Sequence, residues 1–378
     1  MDFDFTEDQN MLRDLAREFL TEQVSVAHIR EMMGDETGYD KDLYRRFLGL
    51  GLIPLPEEYG GAGFGMVETA IIMEEMGRIP YPGPFFGAVV LAGQAIMQSG
   101  DDKAMARYLP DIANGDLVVS LALLEESSSW TPATIQATAT KDGDNYTLNG
   151  AKRFVPWGAQ ADVFLVVART GEGTGPDGIS LFAVQAGSDG VEATPETMLD
   201  LNSRTATVKF SNASGELIGT EGNAWVGLDR AIQRAAVAAS AEMLGAARRS
   251  HEMSVDYAKV RRQFGQVIGQ FQAIKHKLAE MLEQVENAHS AVYYAAWALD
   301  ADAPDATLAA SVAKSTANEA SRHVCGEAIQ VHGGIGFTWE YDLHLYWKRA
   351  KHQEVFYGDS DYHRERVLQE VLAGNVAR

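Results

Sequence analysis

The interpretation of the fold depends on two stretches of sequence. The first is Val260-Arg-Arg-Gln-Phe-Gly-Gln-Val-Ile-Gly-Gln-Phe-Gln272, and the second, farther along the chain, is Gln330-Val-His-Gly-Gly-Ile-Gly-Phe337. In the first stretch, two arginines at a predicted helix end precede a glycine break with aromatic and amide side chains. Such a set can bind a phosphate and an adenine, or it can be a basic helix C-terminus that the helix dipole favours. The three glycines of the second stretch permit close approach of the backbone to a ligand, or they form a loop between helices. Each stretch alone is a weak motif.

On both sides of the middle of the chain the sequence is helical in pattern. Beyond about residue 223 it is rich in Ala, Leu, Met and Glu, and the segments 224–260, 270–300 and 305–330 have lengths suited to a helix bundle. Residues 1 to about 117 are also helical in pattern, with Thr6 as the predicted cap of the first helix.

Between these helical zones the period of the pattern changes. Short segments rich in β-forming residues, such as 162–168 and 206–210, are separated by glycine and aspartate turns with no helix between them. They predict an antiparallel sheet or barrel. The expected fold class is therefore α+β, with an N-terminal α-helical domain (1–117), a central antiparallel β-barrel or sheet domain (118–222) and a C-terminal four-helix bundle (223–378).

The composition excludes several classes of protein. With 53 acidic and 32 basic residues among 378, the chain has a net charge of −21 and is repelled by nucleic acid and by anionic membranes. A single cysteine, Cys325, excludes an intramolecular disulfide. No signal-like N-terminus and no run of about 18 apolar residues occurs, so we expect no membrane segment and a cytoplasmic location. The histidines at 332, 344, 352 and 363 lack helical ligand spacing, and we expect no metal site.

Glu242 is the most informative single residue, because it is the only charged residue between Arg234 and Arg248 in a run rich in alanine. A carboxylate in such a run is expected to lie against a closely packed neighbour, and burial suits it to proton abstraction near neutral pH. The structural alternative is a contact between helices in which Glu242 pairs with a distant Arg or Lys. Composition alone leaves both interpretations open.

Taken together, these motifs resemble those of the acyl-CoA dehydrogenase family along essentially the whole chain. The resemblance rests on Pro56-Glu-Glu-Tyr-Gly-Gly-Ala-Gly63, on the α–β–α order, on Arg261-Arg-Gln-Phe-Gly265 with Gln272, and on the Gln330–Phe337 stretch. It implies a flavoenzyme with FAD as cofactor. It also implies an oligomer, because in that family the two C-terminal motifs reach the FAD of a neighbouring subunit. The cofactor-binding residues that it implies here are Arg261, Gln263, Phe264, Gln272, Gln330, Gly333 and Gly334.

A departure from the family pattern bears on catalysis. Many members carry a catalytic Glu in a Tyr-Glu-Gly-Thr motif, where this chain has Tyr357-Gly-Asp-Ser360 and therefore Gly358 at the base position. Another branch places its base at a position that aligns here with Ala235. Glu242 lies two helical turns farther on, on nearly the same helix face, roughly 10 Å along the axis. We therefore predict Glu242 as the catalytic base, and the alternatives are Asp359, Asp361 or no base at all.

The middle zone departs from the family pattern as well. The chain has Leu124-Glu-Glu-Ser-Ser-Ser-Trp130 and Phe154-Val-Pro156 where members usually have Thr-Glu-Pro-x-x-Gly-Ser-Asp and Trp-Ile-Thr beside the flavin. Serines can still donate hydrogen bonds to a flavin or phosphate, and Phe154 can still pack on a ring; otherwise the serine loop is only a turn. The resemblance thus adds the cofactor-binding candidates Leu124, Ser127, Ser129, Phe154, Val155 and Pro156.

The activity that the resemblance implies is FAD-dependent α,β-dehydrogenation of an acyl-CoA thioester, with electrons passed to an electron-transfer flavoprotein. A backbone N–H near Gly358 or Asp359 is then expected to polarise the thioester carbonyl. The departures are similar to those of bacterial members that act on bulky or steroid side-chain acyl groups. This similarity predicts a homo-oligomer (a dimer of dimers) or a heterotetramer with a related subunit. The alternatives are a non-catalytic partner subunit of a heteromeric acyl-CoA dehydrogenase, and an acyl-CoA oxidase or flavin monooxygenase on the same fold.

Overall fold

The structure is a computed structural model that describes residues 4–143 and 145–375. The helices that precede the sheet in the described residues are α1 Glu7–Gln23, α2 Val26–Gly34, α3 Lys41–Leu48, a 3-10 helix Glu57–Tyr59, α4 Met66–Arg78, a π-helix Phe85–Ala92, α5 Gly93–Gln98 and α6 Asp102–Asn114. The strands are β1 Val119–Ala122, β2 Thr138–Asp142, β3 Asn145–Pro156, β4 Val163–Arg169, β5 Ile179–Gln185, β6 Val191–Glu196 and β7 Thr205–Ile218. The C-terminal elements are α7 Trp225–Val260, the hairpin β8 Arg262–Gln263 and β9 Gln266–Val267, α8 Gln272–Asp300, α9 Ala306–His332, α10 Leu343–Val355 and α11 Ser360–Ala373.

The element order confirms the predicted fold class: helices, then a sheet, then long helices. The long helices α7, α8 and α9 fall within two residues of their predicted bounds. The cap of α1 is also as predicted, since Thr6 Oγ1 accepts from Gln9 N at 3.2 Å while Gln9 Oε1 accepts from Thr6 N at 3.1 Å. Within the described residues, no helix combines the length and apolar character needed to cross a bilayer.

The central sheet is mainly antiparallel, as predicted, with β2–β3–β7 and β4–β5 as its main ladders. Two pairings differ from the expectation, because β4 pairs in parallel both with β1, Val119 opposite Val163, and with β2 at the single pair Thr138 and Arg169. The β1–β4 ladder is the longer of the two. The two strands are joined by a long connection and not by a hairpin, which makes a parallel pair possible. The inner face buries an apolar cluster that includes Phe164, Phe182 and Val208, and this cluster holds β3 and the loop before β2 in place.

By backbone contacts the described chain forms two compact units. The first contains the residues up to Arg30, Gly65–Tyr81 and the chain from Ala236 onward, and the second contains Glu31–Phe64 and Pro82–Ala235. Helices α1 and α4 therefore belong with the C-terminal helices, whereas α3, α5 and α6 belong with the sheet. The boundaries of the three predicted domains stay a prediction.

Helices α4 and α7 of the first unit meet with their backbones nearly in contact. A Cβ added at Gly77 would lie 1.9 Å from the carbonyl oxygen of Glu242, and a Cβ added at Gly245 would lie 1.9 Å from that of Glu74. Real Cβ atoms do not approach this closely, so each helix needs a glycine opposite the other's main chain. The crossing fixes the position of Glu242 relative to α4.

We expect Gly77→Ala to lower the free energy of unfolding by about 1–3 kcal/mol or more, since the added methyl group must push two packed backbones apart. The better helix propensity of alanine, about 0.5–1 kcal/mol, is too small to offset this clash. Urea denaturation followed by circular dichroism measures the change. Gly326→Ala is the matched control, because Gly326 lies in α9 with no heavy atom within 4 Å of its added Cβ. A stabilising Gly77→Ala would contradict the close crossing.

Candidate active site

Glu242 lies on the buried face of α7, with only 4% of its surface exposed. Its Oε1 accepts a hydrogen bond from Arg349 Nη1 at 2.5 Å, and its Oε2 accepts one from Gln353 Nε2. Both partners lie on α10, and Arg349 Nη2 also donates to the carbonyl oxygen of Tyr81 at 3.2 Å. The pair with a distant arginine that the structural interpretation anticipated is therefore present. The same contacts hold the carboxylate in one orientation.

The turn between α10 and α11 stands close to this carboxylate. Burial, and then the negative charge of Glu242, raise the pKa of Tyr357 above its ordinary value. Gly358 has φ +98°, and a Cβ there would lie 2.3 Å from Tyr362 Cδ1 and 2.7 Å from His363 Nε2. The position that carries the base in many relatives thus has no room for a side chain in this conformation.

Asp359, the alternative base, has a structural role in this turn. Its exposed side chain caps α11, where Oδ1 accepts from Tyr362 N at 2.9 Å. Asp361 is also exposed and lies 3.3 Å from Arg364. Of these three carboxylates, Glu242 is therefore the one that is buried.

Two candidate segments of the second unit lie side by side. The backbone N–H of Arg153 in β3 donates to the carbonyl oxygen of Leu124 at 2.8 Å, which joins the serine loop to the strand that carries Phe154. Leu124 and Val155 are buried, whereas Ser127 is exposed and Ser129 is partly exposed. Phe154 and Pro156 in β3 are half-buried.

A buried ion pair supports this junction. Lys152 Nζ donates to Glu125 Oε1 at 2.7 Å and to the carbonyl oxygen of Leu123 at 3.1 Å. The Glu125 carboxylate also accepts from the N–H groups of Gln136 and Ala137 at 2.9 and 3.0 Å. Burial lowers the pKa of Lys152 to about 8, against the opposing effect of Glu125. The loop is thus fixed by charge-assisted bonds and not by apolar packing alone.

The candidate residues of the first unit are exposed. Phe264 is 92% exposed at the tip of the β8–β9 hairpin, and Arg261, Gln263, Gln272 and Gln330 are exposed as well. Gly333 ends α9 with φ +65°, and a Cβ at Gly333 or Gly334 would meet nothing within 4 Å. The Phe264 ring and these glycines are thus sterically open to a ligand or a partner, and their role in cofactor binding stays a prediction.

Backbone conformation singles out the same segments. Seven non-glycine residues of the described chain have positive φ, and five of them lie in or beside predicted site segments. These five are Ser128, Phe154, Trp157, Phe264 and Tyr357. Positive φ is unfavourable for residues with a side chain and gathers at functional sites.

Sequence reasoning missed Arg349, Lys152 and Lys314, which are all buried cations. The sequence does contain a sign that Lys314 is buried, because it is an isolated charged residue among Ala, Ser and Thr. Glu242 is isolated among alanines in the same way. Within the described residues no group of three or more His, Cys, Asp or Glu side chains is placed to hold a metal ion. His332, instead, lies between the Ala328 carbonyl oxygen at 2.8 Å and Tyr341 Oη at 3.0 Å.

Comparison with known proteins identifies relatives over the whole chain. Models of the acyl-CoA dehydrogenase N-terminal, middle and C-terminal domains match residues 6–116, 120–213 and 225–372. An acyl-CoA dehydrogenase of Bacillus subtilis is 31% identical over 98% of this chain and 99% of its own length. A subunit of the caffeyl-CoA reductase–Etf complex of Acetobacterium woodii is 30% identical over 99% of both chains. The solved structure of a Tcur3481–Tcur3483 steroid ACAD variant has a TM-score of 0.87 at 29% identity, over 98% of this chain and 99% of that one.

We expect Arg349→Gln to lower the free energy of unfolding by about 3–5 kcal/mol, because the Glu242 carboxylate then stays buried without its cation. The double variant Glu242→Gln/Arg349→Gln should be more stable than Arg349→Gln alone, since it leaves no buried charge at this pair. Urea unfolding midpoints compare the variants. Lys259→Gln in the exposed Lys259–Asp256 pair is the control and should leave the midpoint unchanged. An equally small effect of Arg349→Gln would contradict a strong buried pair.

Proposed function

The chain belongs to the acyl-CoA dehydrogenase family, whose members are FAD-dependent oxidoreductases, and we propose that it oxidises a bulky acyl-CoA thioester with Glu242 as the base. The observation that carries the proposal is the buried Glu242 carboxylate next to the Tyr357–Asp359 turn. The electron acceptor that we propose is an electron-transfer flavoprotein. Support for this acceptor comes from a relative that is a subunit of an Etf complex.

Residues of each unit, taken by itself, suit parts of FAD. Arg261 and Gln272 present a guanidinium and an amide at the surface, which suit phosphate and adenine, and the exposed Phe264 ring suits stacking. In the second unit, Ser127 and Ser129 are exposed or partly exposed, and their hydroxyl groups suit hydrogen bonds to a flavin or phosphate. FAD, when bound, supplies the acceptor for the hydride that leaves the β-carbon.

Glu242 would take the α-proton of the thioester. A carboxylate has about four lone-pair positions, and the hydrogen bonds from Arg349 and Gln353 occupy two of them. Each oxygen therefore keeps a lone pair for a proton. Arg349 and Gln353 would orient the carboxylate, so that it need not reorganise when the proton arrives.

The turn after α10 supplies the groups that would make the α-proton acidic. Neither the Gly358 N–H nor the Asp359 N–H donates a hydrogen bond to another described residue, although Gly358 is buried. In a buried residue an N–H without a protein partner is rare, so the Gly358 N–H is available to donate to a ligand acceptor. We propose the thioester carbonyl as that acceptor, because a hydrogen bond to its oxygen stabilises the negative charge that develops as the proton leaves.

The proposed substrate class is a bulky acyl-CoA. Support comes from the location of the proposed base: Glu242 lies on α7, and not on the turn where many members of the family have a glutamate. A steroid ACAD among the solved structures is similar in fold. A homo-oligomer or a heterotetramer, and a cytoplasmic location, remain part of the proposal.

We expect Glu242→Gln to retain FAD but to abolish bleaching of the flavin by substrate, since an amide cannot accept the α-proton. Asp359→Asn is the matched control and should still be reduced, because an amide oxygen can also cap α11. Anaerobic absorbance of both purified proteins, mixed with acyl-CoA, gives the result. Full reduction of the Glu242→Gln protein would exclude this base, and loss in Asp359→Asn alone would assign the role to Asp359.

The acyl group and the electron acceptor can be tested with the unmodified protein. Anaerobic titration with acyl-CoAs from short-chain to steroid-side-chain should reduce the flavin most completely with the bulky ones. Reduced protein should then pass electrons to an electron-transfer flavoprotein and react slowly with oxygen. Preference for short chains would contradict the substrate class, and rapid peroxide formation would indicate an oxidase.

A second candidate function is that of a non-catalytic partner subunit. The serine loop and Phe154-Val-Pro156 favour it, because both segments depart from the family pattern. The visible spectrum of the chain expressed alone distinguishes the two functions. Near-stoichiometric FAD supports the enzyme, whereas a colourless protein that becomes yellow only with a co-expressed relative supports the partner subunit.

A further inference from the structure

Lys314 places a fully buried amine between α9 and the turn that follows α10. Its Nζ donates to Asn318 Oδ1 at 2.7 Å and to the carbonyl oxygens of Gln353 and Gly358 at 3.0 Å each. The Glu354 carbonyl oxygen lies farther away, at 3.4 Å. All four acceptors are uncharged oxygens, so no carboxylate pairs directly with this amine.

The geometry suits the ammonium form of Lys314. An ammonium group has three protons for its three close acceptors, whereas a neutral amine has two protons and would direct a lone pair at an oxygen. Two of the acceptors are carbonyls of the last turn of α10, which lack helical partners and carry partial negative charge. A proton lost from Lys314 would therefore release one of the bonds that hold the turn.

The bonds to the turn also set the direction of its N–H groups. A trans peptide is planar, so its N–H points opposite to the C=O of the preceding residue. Lys314 holds the Gly358 carbonyl and thereby directs the Asp359 N–H. In the same way, His363 Nε2 donates to the Tyr357 carbonyl at 2.8 Å and directs the Gly358 N–H.

We propose that Lys314 is a positioning residue whose protonated form orders the Gly358–Asp359 turn and aims its N–H groups at the thioester carbonyl. The proposal deepens the proposed function and rests on it for the role of that carbonyl. The claim that Lys314 orders the turn does not depend on the reaction.

The surrounding charges allow Lys314 to titrate in an accessible range. Burial lowers the pKa of Lys314 to about 7, and the carboxylates of Glu354 on α10 and Asp359 on the turn oppose this effect. Glu354 is shared with Arg322 and Lys351, both of which pair with it. His363 on α11 stays neutral at this pH, because burial and then the Lys314 charge lower its pKa to about 3. The amine is thus the group of this cluster that changes charge near neutral pH.

Asn318→Asp tests the proposal with an almost unchanged shape. Asn318 Nδ2 is buried and has no hydrogen-bond partner among the described residues, so its loss removes no bond. The new carboxylate would lie next to Lys314 Nζ and hold its proton to higher pH, by about one pH unit or more. Asn287→Asp, at an exposed position of α8, is the control for one added negative charge.

Two readouts are followed across pH: amide hydrogen-exchange protection of the segment 353–363 by mass spectrometry, which includes the Tyr362 and His363 N–H groups bonded to Asp359, and the rate of flavin reduction by acyl-CoA. In the unmodified protein both should fall as the pH rises through about 7. Asn318→Asp should move both transitions upward by about one pH unit or more, and Asn287→Asp should move neither. Lys314→Met should remove the pH transition and slow flavin reduction about tenfold or more, because the Gly358 and Asp359 N–H groups are then no longer held in the direction of the thioester carbonyl.

An Asn318→Asp protein whose exchange transition stays at the unmodified pH would overturn the proposal. A shift in exchange without a shift in rate would show that the order of the turn does not govern the reaction. Absence of flavin reduction with every acyl-CoA, in the unmodified protein, would instead contradict the proposed function. The exchange measurement would then still test Lys314, since it needs no turnover.

Discussion

The unit that contains the candidate base depends on the close crossing of α4 and α7. Gly77 and Gly245 leave no side chain between the two backbones, and this fixes the register of one helix against the other. Several charged pairs follow from that register: Glu74 accepts from Arg248 Nε at 2.9 Å, and Arg78 donates to Glu252 at 2.8 and 2.9 Å. A slip of one helical turn would separate these pairs and would displace Glu242 from its partners on α10.

The turn at Tyr357–Asp359 is held mainly by polar groups. The Glu242 carboxylate pairs with Arg349 and Gln353 of α10, and the Lys314 amine binds the last carbonyls of the same helix. A buried anion and a buried cation thus both bind the short helix that leads into the turn. Polar contacts of this kind are directional, so they fix orientation more narrowly than apolar packing of the same area.

The parts of the structure that local signals determine were predictable from the sequence. The Thr6 cap and the long helices α7 to α9 follow from capping residues and composition, and the strand-rich middle follows from its turns. The parallel β1–β4 ladder was not predictable, because pairing of strands that are distant in sequence depends on the packing of the whole sheet. The Glu242–Arg349 pair joins residues that are 107 positions apart, so sequence indicated a partner without identifying it. Likewise, the motif alignment located Gly358 but did not identify Lys314, which binds the Gly358 carbonyl oxygen.

The crowding at Gly358 has a consequence for how this active site can evolve. A glutamate cannot be introduced at that position by one substitution, because Tyr362 and His363 occupy the space that its side chain would enter. Replacing His363 also removes the hydrogen bond to the Tyr357 carbonyl. A lineage with this turn would therefore have to change several neighbouring residues together to move its base to position 358. A protein that carries only some of these changes would have a disordered turn and little activity. Selection would therefore tend to keep glycine at position 358 in such a lineage.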